Sequence, residues 1–441
     1  MNKQIVFQRL GIILAYPLAY AYIRLVFDFT ETAEWGPSFL DGKLTIALSY
    51  PVFALLFILV NEIVRRGRRD PVSIPTKETV FWYVMTLLAG LTATIGPEPE
   101  LSVFAMHLCA VYSVLISNGI LLGGRTSGFI PADLIHGFYV KSFAGFPNYI
   151  TDWKCFGKQN ADGDESAVKK KNHIGAVIFI IIMVVLLIIS VSLMSSIDED
   201  LGNFFDNLFS GIEDYIGEIQ LYDIIPRLIF AIPVCFYLYG LMSRSAKSDC
   251  GKEKRFATWL TRFMGKGKTA SATIVYIAAG VFVSAYILFF IKRLAYMLGG
   301  FVGDVPDGML VSHYAREGFF ELVGIMAVNM CVYLAIILFG KTDKEGSFPL
   351  PAKILVTLLM AESIIFAVIA MSKLGLYYSI YGYTPKRILA MWATLVLGFA
   401  AGLTAVTVHR GKPHFRAGVI FTSISYIAIC ILSGVLVAVG A

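Results

Sequence analysis

Apolar residues gather along this chain into long runs that polar stretches separate. Each run is close to the ~20 residues that a helix needs to cross the hydrocarbon core of a bilayer. The pattern predicts eleven membrane-spanning helices, at residues 10–27, 44–64, 78–96, 101–122, 174–194, 224–242, 272–291, 318–339, 351–372, 388–408 and 416–439. The predicted fold class is therefore all-α, a polytopic transmembrane helix bundle of about eleven spans.

Composition narrows the class of protein. Of the 441 residues, 57% are hydrophobic and only 15% are charged, and the mean hydropathy is +0.71. Soluble proteins carry about 25% charged residues, so this chain lacks the charge that a soluble surface needs. We therefore exclude a soluble enzyme, a secreted disulfide scaffold, a disordered protein and a nucleic-acid binder.

The loops between the predicted spans alternate in charge. Lys and Arg dominate residues 65–77, 125–171, 244–268 and 410–416, whereas the intervening loops at 28–41, 98–100 and 198–223 are acidic. Basic loops remain in the cytoplasm under the positive-inside rule. The N-terminus is therefore predicted to be cytoplasmic and the C-terminus external.

Three connections have the pattern of helices that lie on the membrane surface. Residues 197–219 and 256–264 repeat apolar residues with the helical period, and residues 129–153 are rich in aromatic residues. Two interpretations stay open, which are anchoring in the membrane lipids and docking of a protein partner. Such a partner would bind at the basic cytoplasmic loops or at the amphipathic helix predicted at residues 197–219, which is expected to be external. No nucleic acid is expected.

Two polar residues stand in the middle of apolar runs. Glu362 is near the centre of the ninth predicted span and Asn329 is near the centre of the eighth. The two spans are predicted to be antiparallel neighbours because their connection is short. Glu362 is expected to bind a proton or a cation, or else to fix helix packing through a hydrogen bond. His107, in the fourth span, is a further candidate, with a packing histidine as the alternative.

A second group of candidate residues lies at the predicted outer face. Residues 314–321 read Tyr-Ala-Arg-Glu-Gly-Phe-Phe-Glu, and residues 381–387 read Tyr-Gly-Tyr-Thr-Pro-Lys-Arg. Arg387 opposes the dipole of the helix that follows, which suggests an acidic partner such as Glu317 or Glu321. Together with Arg316, these residues are expected to form a salt-bridged clamp or a site for an anionic ligand or lipid headgroup.

The same two segments, followed by a helix with Trp392, carry a resemblance. They resemble bacterial membrane proteins known only as domains of unknown function, of the DUF4153 and DUF4173 type. The likeness begins near residue 295, so we divide the chain into residues 1–294, with about seven spans, and residues 295–441, with about four. The resemblance implies a bacterial cell membrane and no particular activity. The matching positions are Tyr314, Arg316, Glu317, Glu321, Tyr381, Gly382, Thr384 and Arg387.

Three functions stay open. The span count and the mid-span polar residues favour a transporter or permease-like protein. A sensor or accessory subunit would act through the basic loops without transporting anything. A lipid-linked transferase would use Asp28, Glu31 or the Glu317/Glu321 pair as general base or metal ligand at the outer face. No motif of an ATPase, zinc protease or serine hydrolase occurs, and no cofactor or metal is expected.

Overall fold

The computed structural model of the chain describes most of its residues. These are residues 3–27, 42–67, 76–96, 98–158, 224–248, 255–259, 270–303, 310–341, 348–411 and 414–439, with a few single positions between 261 and 308. Apart from turns and one isolated β-bridge between Ala270 and Gly340, this part of the chain is helical. The all-α class is confirmed.

The α-helices follow in chain order. They are α1 (Lys3–Tyr22), α2 (Gly42–Arg66), α3 (Thr76–Ile95), α4 (Pro99–Ser117), α5 (Ile130–Ile135), α6 (Ser142–Lys158), α7 (Ile224–Ala246), α8 (Ala272–Val302), α9 (Val311–Phe339), α10 (Leu350–Tyr381), α11 (Pro385–Arg410) and α12 (Phe415–Val439). Two π-helical segments, Ile23–Phe27 and His136–Lys141, continue α1 and α5.

Ten of these helices, all except α5 and α6, are long and apolar enough to cross a membrane, as judged over the described residues. They coincide with ten of the predicted spans. The remaining predicted span, at residues 174–194, lies outside the described residues, as does the surface helix predicted at 197–219. The count of eleven and the orientation of the termini therefore stay predictions.

Local chemistry sets several helix ends. The Ser271 side chain accepts a hydrogen bond from the backbone N–H of Ile274, at 3.4 Å, at the start of α8. The same helix ends at Gly303, which has a φ of 73° and so adopts the left-handed conformation that favours glycine. Pro385 occupies the first turn of α11, where its missing N–H costs nothing.

The chain packs as two compact units. The first comprises residues 1–94, 103–125 and 130–250, and the second comprises residues 95–102, 126–129 and 251–441. The boundary predicted at residue 295 rests on the sequence resemblance alone and stays a prediction.

In the first unit, α6 packs lengthwise along α7. Asn148 donates to Ser243 at 3.0 Å, and Lys247 pairs with Asp152 at 2.5 Å. Gly145 lies against Gly240 so closely that a side chain at either position would clash with backbone. In these contacts the residue numbers increase in the same direction along both helices, so the helices are parallel. Residues 129–153 were expected to lie on the membrane surface. Small residues bring α6 onto α7, a candidate membrane span, and the position of α6 relative to the membrane stays a prediction.

Residues 255–259 are helical, as expected for the surface segment predicted at residues 256–264. Phe256 and Trp259 are exposed there, with ring centroids 5.7 Å apart.

In the second unit, α10 is the central helix and packs against α8, α9 and α11. Its contacts with α9 run antiparallel, because Asn329 meets Ser363 and Gly318 meets Lys373. Two clusters of buried apolar residues surround it. One includes Val356, Leu359 and Met360, and the other includes Phe366, Ile369 and Ala370.

Candidate functional site

The mid-span polar residues lie at one level of α9 and α10. Asn329 is fully buried, and its Nδ2 donates to Ser363 Oγ at 2.8 Å. Ser363 in turn donates to the backbone oxygen of Leu359, one turn back in α10. The amide of Asn329 therefore bonds the residue that follows Glu362, and the Asn329 Oδ1 atom has no hydrogen-bond partner among the described residues.

Glu362 is buried between the two apolar clusters. Only 7% of its surface is exposed, and its Oε2 has no hydrogen-bond partner within the described part of the chain. Tyr286 of α8 lies within electrostatic range of the carboxyl group. Glu362 and Asn329 thus each have an acceptor oxygen without a partner among the described residues, at the middle of long apolar helices.

Among the described residues, Arg387 does not have the acidic partner that the sequence suggests. Its Nη1 donates to the backbone oxygens of Tyr381 and Gly382, at 3.0 and 2.6 Å. The guanidinium also lies 4.0 Å from the ring centroid of Tyr377. Arg387 therefore satisfies the carbonyl groups at the end of α10, where its positive charge complements the helix dipole.

The three charged residues of α9 do not form the expected clamp with Arg387. Glu317 pairs with His313 one turn earlier, at 3.0 Å, and both side chains are about half exposed. Arg316 and Glu321 are exposed as well. Surface ion pairs of this kind contribute little to stability.

Lys373 is a site residue that sequence reasoning missed. It is only 1% exposed, and its Nζ lies 3.8 Å from the ring centroid of Tyr296 and 3.9 Å from that of Tyr314. The residue falls just after the predicted end of the ninth span, where a lysine is ordinary. The available signal was its spacing, because eleven residues from Glu362 is about three helical turns and places both on one face of α10.

The tyrosines around Lys373 are themselves fixed in place. Tyr314 is fully buried, and its hydroxyl donates to the backbone oxygen of Tyr296 at 2.5 Å. The two rings are 5.1 Å apart and nearly perpendicular. Burial raises the pKa of Tyr296, and the negative charges of Glu321 and Glu317 raise it further.

His107 has the environment of a packing histidine. Its Nδ1 lies 2.7 Å from the backbone oxygen of Val103, and its Nε2 lies 3.0 Å from the Tyr22 hydroxyl. A ring whose Nδ1–H donates to the carbonyl can accept the tyrosine proton at Nε2, which satisfies both nitrogens.

A second polar group that the sequence did not reveal lies in the first unit. Arg65 and the Tyr83 hydroxyl both donate to the carboxylate of Glu62, at distances between 2.6 and 3.0 Å. Asn61 donates to the same Tyr83 hydroxyl and to Ser117. The Glu62 carboxylate is thus bonded by both Arg65 and Tyr83, in contrast to Glu362.

Comparison with known proteins identifies the family but not the activity. No curated protein and no solved structure matches the chain. The sequence family described as Domain of unknown function (DUF4153) matches residues 83–438. This match confirms the resemblance and extends it far beyond residue 295, into the first unit. The chain therefore belongs to the DUF4153 family.

Proposed function

We propose that this protein is a transporter of the bacterial cell membrane in which Glu362 binds a proton or a cation. The observation that supports the proposal is the buried Oε2 atom of Glu362, which has no hydrogen-bond partner among the described residues. A carboxyl group that served only to fix helix packing would be bonded across the helix interface. Here Asn329 takes that role with Ser363 instead.

The cost of burial explains why such a carboxyl group suits ion binding. A charged residue at the centre of a span costs about 2.5–3.5 kcal/mol on insertion scales. Protonation or a bound cation removes that cost, and a group without fixed partners can exchange either one. Oxygen atoms are also the ligands that hard cations prefer, and the amide oxygen of Asn329 is a second one at this level.

Labelling with a hydrophobic carbodiimide tests the proposal, because the reagent reacts with protonated carboxyl groups in apolar surroundings. We expect mass spectrometry of the purified protein to find label on Glu362 at low pH and less label as the pH rises. Glu362→Gln should remove the label. Glu62 is the internal control, because its carboxylate is bonded to Arg65 and should stay unlabelled over the pH range in which Glu362 loses its label.

Transport itself requires a second measurement. Cells that express Glu362→Gln should lose the proton or cation flux that the wild-type protein supports. Cells that express Glu62→Gln should keep this flux and its pH dependence. An unlabelled Glu362 with unchanged flux in the Gln variant would contradict the proposal.

A non-transporting sensor or accessory subunit is the second candidate. The apolar clusters that pack on both sides of Glu362 favour it, because a filled interior offers no path for a substrate. This candidate predicts a partner that copurifies at fixed stoichiometry, held at the basic cytoplasmic loops or the external amphipathic helix. Lipids of the bacterial plasma membrane surround the protein under either proposal.

A further inference from the structure

The ammonium group of Lys373 lies in a cage of two aromatic rings. Tyr296 of α8 and Tyr314 of α9 each place a ring within 4 Å of Nζ, measured to the ring centroid. The nearly perpendicular rings form two walls, and the hydrogen bond from Tyr314 to the Tyr296 backbone holds them together. Proteins use aromatic cages of this kind to recognise ammonium ions.

The third wall of the cage is Gly318, which packs directly against the Lys373 side chain. A Cβ atom at Gly318 would lie 2.5 Å from Lys373 Nζ, so any side chain there would enter the space that the ammonium occupies. Gly318 belongs to the segment at residues 314–321 that carries the family resemblance. The segment therefore supplies one ring and the glycine that leaves room for the ammonium group.

Acidic side chains lie near the cage without pairing with its lysine. No carboxylate among the described residues forms an ion pair with Lys373, although Glu321 lies within electrostatic range of it. The negative charges of Glu317 and Glu321 also raise the pKa of Tyr296. Two rings with nearby carboxylates are the chemistry that binds an organic cation.

We propose that the Tyr296–Tyr314 cage is a binding site for a small organic ammonium ion, and that Lys373 is its built-in occupant. When the ligand enters, the Lys373 ammonium moves to the carboxylate of Glu321. Glu321 lies three residues beyond Gly318, about one turn along α9. The cage holds one cation before and after the exchange, and the lysine gains a counter-ion.

A groove lies beside the part of α10 that carries Lys373. It has a volume of about 680 Å³ and lies between the end of α8 and the C-terminal half of α10. Gly300 and Ser372 line it, and a Cβ atom at Gly300 would lie within 3.2 Å of the Lys373 backbone. The groove therefore borders Ser372, the neighbour of Lys373 in α10, while Gly300 packs directly against the Lys373 backbone.

The tethered lysine competes with any ligand. Its effective concentration is on the order of millimolar or more, so it lowers the apparent affinity of the cage for a cation in solution. Removing the lysine should therefore strengthen ligand binding, and removing its alternative partner should weaken it. A purely structural lysine predicts neither effect.

Calorimetric titration of the purified full-length protein with tetramethylammonium tests the proposal. We expect wild-type protein to bind the ion, Lys373→Met to bind it about tenfold more tightly, and Tyr314→Leu to lose binding by at least about tenfold. Glu321→Gln should weaken binding to the wild-type protein but not to the Lys373→Met variant. Lys386→Met, at an exposed lysine of α11, is the matched control and should bind like wild type.

Two results would overturn the proposal. If neither wild type nor Lys373→Met binds the ion, the cage is not a ligand site. If Lys373→Met binds but wild type does not at any accessible concentration, the lysine is a permanent occupant. If Tyr314→Leu fails to fold, Tyr314→Phe replaces it; this variant keeps the ring and should bind the ion. The comparison of Glu321→Gln in the wild-type and Lys373→Met backgrounds then decides. These titrations measure binding without flux, so their failure leaves the assignment of Glu362 untouched.

Discussion

At the scale of single residues, the hydrogen bond between Asn329 and Ser363 is the direct polar link between α9 and α10 at mid-depth. Ser363→Ala removes the acceptor and leaves the Asn329 amide buried without a partner. We expect a loss of about 0.6 kcal/mol and at most about 2 kcal/mol, the range for such bonds in membranes. Reversible unfolding in mixed detergent measures it. A double-mutant cycle with Asn329→Ala should show coupling, and additive losses would contradict the bond.

Gly318 offers a test in which the sign of an effect reverses. Gly318→Ala gains about 1 kcal/mol of helix propensity but expels the Lys373 ammonium from its cage, which costs up to about 2 kcal/mol. We therefore expect a net loss of stability in the wild-type background. In the Lys373→Ala background the same change should stabilise the protein by about 1 kcal/mol. Equal effects in both backgrounds would show that Gly318 does not serve the lysine.

Sequence alone identified the residues whose polarity contradicts their surroundings. Glu362 and Asn329 stand out because each interrupts an apolar run, and the structure places both at one level. Lys373 escaped notice because it lies at the end of a run, where a helix about 48 Å long extends beyond the hydrocarbon core. Arg387 bonds backbone carbonyl groups in place of the predicted acidic side chain, and a pattern of side chains does not reveal such carbonyl partners.

At the scale of elements, the parallel packing of α6 and α7 can be tested by cross-linking. Asn148 and Ser243 touch across the interface, so cysteines at both positions should form a disulfide under mild oxidation. Asn148→Cys paired with Arg227→Cys is the control, since Arg227 lies 16 residues away from Ser243, about 24 Å along α7. Cross-linking of the control pair instead would mean that the helices are not in this register.

Sequence predicted the long helices well and this contact poorly. Ten apolar runs became helices because a helix is the way in which a lone segment satisfies its backbone in lipid. The α6 segment has aromatic residues, Pro147 and several polar residues, which resemble a surface helix. Its packing depends on Gly145 and Gly240, which are distant in sequence, so no local pattern reveals it.

At the scale of the whole molecule, the side of the membrane that holds each terminus is the property to measure. Eleven crossings from a cytoplasmic N-terminus predict an external C-terminus. A C-terminal alkaline phosphatase fusion should therefore be active in bacterial cells, and a fluorescent protein fused at the same position should be dark. Fusions within residues 244–268 should give the opposite result, because basic loops remain in the cytoplasm.

Because α6 and α7 point in the same direction, the C-terminal fusion also reports how deeply α6 enters the bilayer. Two helices that point the same way require the chain between them to return to its starting side, and the predicted span at residues 174–194 provides one crossing for that return. An external C-terminus then means that α6 enters the bilayer and leaves on the face where it began, as a re-entrant hairpin. A cytoplasmic C-terminus means that α6 is itself a complete crossing. The side of the membrane that holds the C-terminus thus distinguishes a half-membrane hairpin at α6 from a twelfth complete span.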